Sequence, residues 1–229
     1  MPLGIFAGFS GTVVMYALAI CQALFEKIKG LFAKITQSHK IATVITNTLG
    51  GFFIGCIALR LPLTFGDGSE QLFKVIRNGR CDRFPNSEPV YSGNFLIATA
   101  AGKALTLAIS LGSGFSGGQV LPTMLVGTCI GLWWHQQRPE RWSCFLTVPV
   151  FTAAVPAAFI PAPFFFVGLV DGLFILGPEM AAPIFVAVLV SAATSSGLGL
   201  FSCLVQTKFI KLVEHHNQYL NREKTSPPV

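Results

Sequence analysis

The stretch best suited to do chemistry is a glycine-rich break followed by an apolar run. It reads Leu111-Gly-Ser-Gly-Phe-Ser-Gly-Gly-Gln-Val-Leu-Pro-Thr-Met-Leu-Val-Gly127. Proline is tolerated in a first helical turn, where its missing N–H has no partner to lose. Pro122 therefore predicts a helix that begins near Gly118, with Ser116 or Gly117 as its cap. The first N–H groups of such a helix lack intrahelical partners and carry partial positive charge. We predict an anion site at this helix start; a glycine-rich hinge between two packed membrane helices is the alternative.

The composition of the chain places this stretch in a membrane. Hydrophobic residues make up 52% of the 229 residues and charged residues 11%, against roughly 25% charged residues in a soluble domain. These values exclude a disordered segment, a disulfide-stapled secreted module and an ordinary soluble enzyme. The net charge is +6, but the basic residues lie in short polar stretches between apolar blocks, which is typical of topogenic charge. We predict an integral, multi-pass membrane protein without a nucleic-acid partner, in a membrane that the sequence does not specify.

Three apolar blocks lie before the glycine-rich break, each close to the roughly 20 residues that span a bilayer. They cover residues 2–25, 41–63 and 94–111, with a basic linker after the first and a polar loop over residues 64–92. Gly51-Phe-Phe-Ile-Gly55 predicts the close approach of another helix, with simple tolerance of glycine as the alternative. Lys103 interrupts the third block. We expect it to snorkel or pack rather than to line an ion pathway, because no nearby residue supplies an obvious partner.

Glycines and prolines divide the apolar sequence that follows Lys103. Most pieces between them are too short to span at 1.5 Å per residue, which predicts short, discontinuous helices buried in protein. Asp171 and Glu179 are the only charges from Trp142 to Thr207. Asp171 is the better functional candidate, because an ionisable group among phenylalanines needs a partner or water. The cysteines and histidines show no metal-binding spacing, and no catalytic motif is present, so we expect buried inert thiols, no metal, no cofactor and no enzymatic activity.

The glycine-rich break carries a family resemblance. Gly112-Ser-Gly-Phe-Ser-Gly-Gly-Gln-Val-Leu-Pro122 resembles the glycine-rich segment and the Gly-x-Phe-x-Pro motif of the CLC chloride channels and transporters. Residues 62–72, 103–110 and 151–170 resemble other segments of that family in the same order. The resemblance covers about residues 1–200 but corresponds only to the second half of a CLC membrane domain. It implies an all-α, polytopic membrane protein with short discontinuous helices, the second inverted-repeat half of a CLC-like fold, over residues 1–207, followed by a polar tail over residues 208–229.

The resemblance also implies how an anion would be held. In the family, the main-chain amides of the two residues after the first glycine of the motif bind the central anion, and these are Gln119 and Val120 here. The loop expected to shape the site consists of Gly112, Ser113, Gly114, Ser116, Gly117, Gly118 and Pro122. The expected function is transport of chloride across a lipid bilayer, with chloride as the bound ion and a homodimer as the assembly.

Two departures from the family pattern leave alternatives open. Val120 stands where the motif has phenylalanine, and Gly-Gly-x-Val-x-Pro resembles the fluoride-exporting branch, so fluoride is the alternative anion. The first half of the family domain, with its serine ligand and gating glutamate, has no counterpart in this sequence. We expect a separate first half, another copy or a separately encoded partner to complete the pore. The rival hypothesis is a non-conducting membrane subunit or fragment that packs with a full-length relative.

Overall fold

A computed structural model describes residues 2–36, 39–78, 91–115, 117–160 and 162–197. The α-helices of these ranges are, in chain order, α1 (Pro2–Thr36), α2 (His39–Arg60), α3 (Ser69–Asn78), α4 (Gly93–Ser113), α5 (Val120–Gln137), α6 (Cys144–Ala157), α7 (Pro163–Phe174) and α8 (Ala181–Gly197). Two short 3-10 turns, Pro62–Thr64 and Pro178–Met180, complete the secondary structure of the described residues, which contain no strand. The predicted all-α fold is confirmed.

Four helical segments of the described chain are long and apolar enough to cross a membrane. They are Leu3–Thr36, Ile41–Arg60, Gly93–Ser113 and Pro178–Gly197. The helices α6 and α7 are shorter, with 14 and 12 residues, as the prolines predicted. The segment that contains α8 is long, because Pro183 lies in the first turn of that helix, where proline removes no hydrogen bond, and the helix continues to Gly197. The chain is a multi-pass membrane protein with both long and short helices.

Two segments predicted as polar connections are helical. The basic residues predicted to form a linker, Lys27, Lys29 and Lys34, lie within α1, which runs on to Thr36. The predicted polar loop contains α3, whose Leu72 and Val75 are 1% and 0% exposed. These two positions are three apart, so they lie on one face of a helix, and α3 packs with this apolar face against α5. Because charged residues lie beside these apolar positions, the sequence analysis assigned the segment to a polar loop.

The helices α5 and α6 form the centre of the protein. Twelve of the fourteen residues of α6 are buried. A Cβ atom at Gly127 would lie 3.0 Å from Thr152 Cα, and one at Gly131 would lie 3.0 Å from Val148 Cα. The hydroxyl groups of Thr128 and Thr152 are 2.8 Å apart across the same contact. Small residues therefore let the two backbones approach closely, and a buried hydroxyl pair joins them.

The same kind of contact joins α1 to the centre. A Cβ atom at Gly8 would lie 2.9 Å from the Ser191 nitrogen of α8, and one at Gly11 would lie 2.8 Å from the Ala154 carbonyl oxygen of α6. The Ser191 hydroxyl donates to the same Ala154 oxygen at 2.6 Å. The glycines of α1 thus bring α1, α6 and α8 together.

The predicted small-residue contact at Gly51 and Gly55 is not made within the described residues. A Cβ atom at either position would meet no atom within 4 Å. The neighbouring Gly50 makes the contact instead, since its Cβ would lie 2.7 Å from Ser113 Cβ of α4. One residue along a helix turns the side chain by about 100°, so Gly50 faces α4 while Gly51 and Gly55 face outward.

The cysteine prediction holds in part. Cys21, Cys56 and Cys129 are free thiols, and Cys129 is fully buried, but Cys21 is half-buried and Cys56 is exposed on α2, so the predicted burial is wrong for Cys56. Cys144 is disulfide-bonded, so the prediction of an inert thiol is wrong there. Cys144 is the first residue of α6, directly after a polar connection, rather than deep within an apolar run.

We predict that Gly127→Ala lowers the melting temperature of the detergent-solubilised protein, followed by tryptophan fluorescence. The added methyl group would meet the α6 backbone, which cannot yield as a side chain can, and such overpacking costs about 1–3 kcal/mol. Gly55→Ala is the matched control, because open space surrounds that position. It should leave the melting temperature unchanged or raise it, since alanine favours helix by about 0.5–1 kcal/mol. Equal melting temperatures for the two variants would contradict a close contact between α5 and α6.

Candidate anion-binding site

The glycine-rich break ends at the start of α5. Val120 is the first residue of the helix and Gln119 is its N-cap residue. The first helical hydrogen bond is donated by the Thr123 N–H to the Gln119 carbonyl oxygen, at 3.2 Å. The helix thus begins two residues later than predicted, and Gly117 is not the cap. Ser116, the other predicted cap, lies outside the described residues.

The amides at this helix start are free of a side-chain cap. The N–H groups of Gln119, Val120 and Leu121 precede the first helical bond, and Pro122 has no N–H. The Gln119 side chain makes no capping hydrogen bond. At the start of α4, by contrast, the Ser92 hydroxyl accepts a hydrogen bond from the Phe95 N–H at 3.4 Å. Within the described residues, the first turn of α5 therefore presents backbone donors and the positive end of the helix dipole without a capping side chain at Gln119.

One side of this helix start is open. Gly117 and Gly118 are exposed, and a Cβ atom at either would meet nothing within 4 Å. Gln119 and Val120 are half-buried, whereas Pro122 is buried. A small ligand can therefore approach the backbone along the glycines without meeting a side chain there.

The earlier residues of the predicted site loop belong to the end of α4. A Cβ atom at Gly112 would lie 2.7 Å from Phe25 Cβ of α1. The Ser113 hydroxyl is buried and donates to the Ile109 carbonyl oxygen at 2.5 Å. Gly114 is the C-cap residue of α4 and has φ 105°, a conformation that favours glycine. The contacts of these three residues thus pack and end α4, whereas residues 117–122 form the start of α5.

Lys103 is buried beside this region. It lies on α4, is 3% exposed, and its Nζ donates to the carbonyl oxygens of Thr64 at 3.0 Å and Gly66 at 2.6 Å. Lys103 packs inside the protein, as predicted, but it has partners that the sequence did not show. Backbone carbonyls 37 and 39 residues away leave no side-chain signature, so only the fold reveals them.

The α2–α3 loop, residues 61–68, contacts the start of α5. Gly68 has φ +101°, and a Cβ atom there would lie 3.2 Å from the Leu121 carbonyl oxygen and 3.5 Å from Pro122 Cα. The neighbouring Asp67 accepts hydrogen bonds from the Ser69 N–H at 3.0 Å and the Ser69 hydroxyl at 2.8 Å. These bonds lower the pKa of the Asp67 carboxyl group, so it stays ionised. The turn chemistry of Gly-Asp-Gly was visible in the sequence, but its contact with α5 was not.

The other charged candidates lie elsewhere. Asp171 is exposed on α7, which packs against α6 and α8, and Glu179 is exposed in the 3-10 turn before α8. Neither is brought to the start of α5. Within the described ranges, no group of three or more histidine, cysteine, aspartate or glutamate residues is arranged to hold a metal ion.

Comparison with known proteins identifies the family. Residues 1–196 match the family described as "Voltage gated chloride channel". The chain is 28% identical over 129 residues to the voltage-gated ClC-type chloride channel ClcB of Salmonella dublin, covering 56% of this chain and 26% of that protein. It is 28% identical over 134 residues to the putative chloride channel protein ClcB-like of Ralstonia nicotianae (58% and 26%). It is 25% identical over 131 residues to the putative ion-transport protein YfeO of Escherichia coli (57% and 26%).

The matched segment therefore spans about a quarter of the length of each of these relatives. The family match itself covers most of the chain described here, including α1 to α8 almost in full. Together with the all-helical membrane fold, it shows that the chain belongs to the voltage-gated chloride channel (CLC) family.

Proposed function

We propose that this chain binds chloride at the start of α5 and forms part of a pathway that transports it across a membrane. The amides of Gln119 and Val120 are the proposed ligands. One observation carries the proposal: in a member of this family, the first turn of α5 has no side-chain cap and opens toward two exposed glycines.

Backbone donors suit an ion that must be bound and released. The unpaired N–H groups of a helix start carry about half an elementary charge, which favours an anion without the full charge of a fixed lysine or arginine. Gly117 and Gly118 have no side chain, so an anion can reach the amides directly. Because the donors belong to the backbone, the replacement of the family phenylalanine by Val120 leaves them in place.

Chloride is the proposed anion, and fluoride is the alternative. The channel names of the ClcB relatives favour chloride. The smaller side chain of Val120 at the first position of α5 is the feature that keeps fluoride as the alternative, because it removes an aromatic wall and changes the size of the adjoining space.

A second set of helices is proposed to complete the pathway. The chain matches about a quarter of the length of its relatives, and its sequence resembles the second of two inverted halves. A site between such halves would take further ligands from a first half, from a second copy in a homodimer, or from a separately encoded partner. A non-conducting subunit that packs with a full-length relative is the second candidate, which the partial coverage supports.

We predict that Gln119→Pro weakens chloride binding by the purified full chain, measured by isothermal titration calorimetry, about 10- to 100-fold. The substitution removes one N–H donor to an ion, and such a charge-assisted hydrogen bond contributes about 1.5–3 kcal/mol. Gly118 precedes this position and, lacking a Cβ atom, accommodates the proline ring. Gln119→Ala, which keeps the amide and removes the side chain, should bind chloride like the wild type. Equal chloride affinities of the two folded variants would exclude the Gln119 amide as a ligand. If the wild type binds fluoride more tightly than chloride, fluoride becomes the proposed anion.

We predict that conduction depends on the completing helices. The full chain is reconstituted in chloride-loaded liposomes, alone and together with the N-terminal half of the ClcB relative, and valinomycin-triggered efflux is recorded against empty liposomes. Efflux above that control is expected only with both components, and Gln119→Pro should reduce it.

Efflux from the chain alone that Gln119→Pro abolishes would show that copies of this chain build the pathway themselves. If neither preparation shows efflux although the protein is folded, inserted and able to bind chloride, the result would favour the non-conducting subunit.

A further inference from the structure

We propose that Lys103 and Gly68 are positioning residues, which together hold the first turn of α5 in the orientation that the anion site requires. The inference rests on the function proposed above and adds two residues that do not touch the anion. Lys103 holds the α2–α3 loop through hydrogen bonds, and Gly68 lets that loop bear directly on α5.

The first step is the attachment of the loop to α4. A lysine on a membrane-spanning helix is costly unless its ammonium group is paired. The two hydrogen bonds of Lys103 Nζ, to the oxygens of Thr64 and Gly66, pair it with the loop, and the ionised Asp67 lies near enough to interact with it electrostatically. If the loop moved away, the buried ammonium would lose these partners. The position of the loop is therefore tied to α4.

The second step is the contact between the loop and α5. The backbone of Gly68 lies so close to Leu121 and Pro122 that a Cβ atom would be 3.2 Å from the Leu121 oxygen. Its φ of +101° also favours glycine over any other residue. The contact involves the half-buried Leu121 and the buried Pro122, whereas glycines 117 and 118 are exposed. The loop thus contacts the first turn at Leu121 and Pro122, next to the proposed ligands at Gln119 and Val120.

The consequence is a rigid donor set. Backbone donors discriminate between anions of different size only if their positions are fixed, so that they do not move to fit each anion. Donors held in place by packing and hydrogen bonds also need no reorganisation on binding. The far part of α5 is fixed by its glycine contacts with α6, but those contacts begin at Gly127, about two turns beyond the site. The loop, by contrast, contacts the first turn itself, at Leu121 and Pro122.

The experiment compares four variants of the full chain. They are Lys103→Met, which removes the donors, Lys103→Arg, which keeps donors and charge, Gly68→Ala, which pushes on α5, and Gly66→Ala as the matched control. Gly66 shares the loop and a positive φ of 79°, but its Cβ would face only the Gln71 side chain, at 3.3 Å from Nε2. Hydrogen–deuterium exchange of residues 119–127 is measured in chloride-free buffer with a peptide from α8 as reference, and chloride affinity and the chloride-to-bromide affinity ratio are measured by calorimetry.

We expect Lys103→Met and Gly68→Ala to accelerate exchange in residues 119–127 by about tenfold, the ratio that loss of roughly 1.4 kcal/mol of local stability produces. Exchange in α8 should not change. The same two variants should bind chloride several-fold more weakly and with an altered bromide ratio. Lys103→Arg, which keeps donors and charge, should be closer to the wild type than Lys103→Met, and Gly66→Ala, which shares the positive-φ strain but not the contact with α5, should have a smaller effect than Gly68→Ala. If Lys103→Met does not fold, the comparison of exchange rates and chloride affinities between Gly68→Ala and Gly66→Ala tests the same inference.

Wild-type exchange in residues 119–127 of both Lys103→Met and Gly68→Ala would overturn the inference, whatever the chloride affinity. Equal acceleration of exchange in residues 119–127 by Gly66→Ala and Gly68→Ala would also overturn it, because the effect would then come from strain in the loop and not from the contact of Gly68 with α5. A wild-type chain that binds no chloride would instead overturn the proposed function, and the exchange data would still decide whether the loop positions α5.

Discussion

Inside a bilayer, backbone N–H groups have no water to bond with, so the start of a helix within a membrane protein needs a partner. The first turn of α5 has donors at Gln119, Val120 and Leu121 and no side-chain cap. This is the constraint around which the structure is arranged. Pro122 lacks an N–H and reduces the number of donors by one, while the glycines before it leave the remaining donors accessible. An uncapped helix start of this kind gains from a bound anion, and the family to which the chain belongs is one of chloride channels.

The elements around α5 hold it at its middle and at its first turn. Toward its middle, Gly127 and Gly131 bring its backbone against α6, and the hydroxyl groups of Thr128 and Thr152 join the two helices. At its first turn, the α2–α3 loop supports it, and Lys103 ties that loop to α4. Lipid does not compete for the close backbone contact between α5 and α6, and the burial of Lys103 keeps its ammonium group on the two carbonyl oxygens.

The outer faces of the protein have a different character. Gly51 and Gly55 of α2, together with Phe52 and Phe53, are exposed, and α2 is the least buried of the membrane-capable segments. A chain that matches a quarter of its relatives is expected to present such faces to lipid or to further helices. The centre of the protein, by contrast, is tightly packed. Its packing therefore does not depend on the helices proposed to complete the pathway.

The sequence alone determined the membrane class, the all-α fold and the helix start that follows the glycines, because hydropathy and the Gly-x-x-x-Pro spacing from Gly118 to Pro122 are local properties. It also yielded the resemblance to the family that the match over residues 1–196 established. Only the tertiary structure decided which glycines make helix contacts, that α3 forms within a polar stretch, and that Lys103 bonds to two carbonyl oxygens. These features depend on partners distant in the sequence, such as the carbonyl oxygens 37 and 39 residues from Lys103, and on which face of a helix is covered. Backbone partners carry no side-chain identity, so no pattern in the sequence could reveal them.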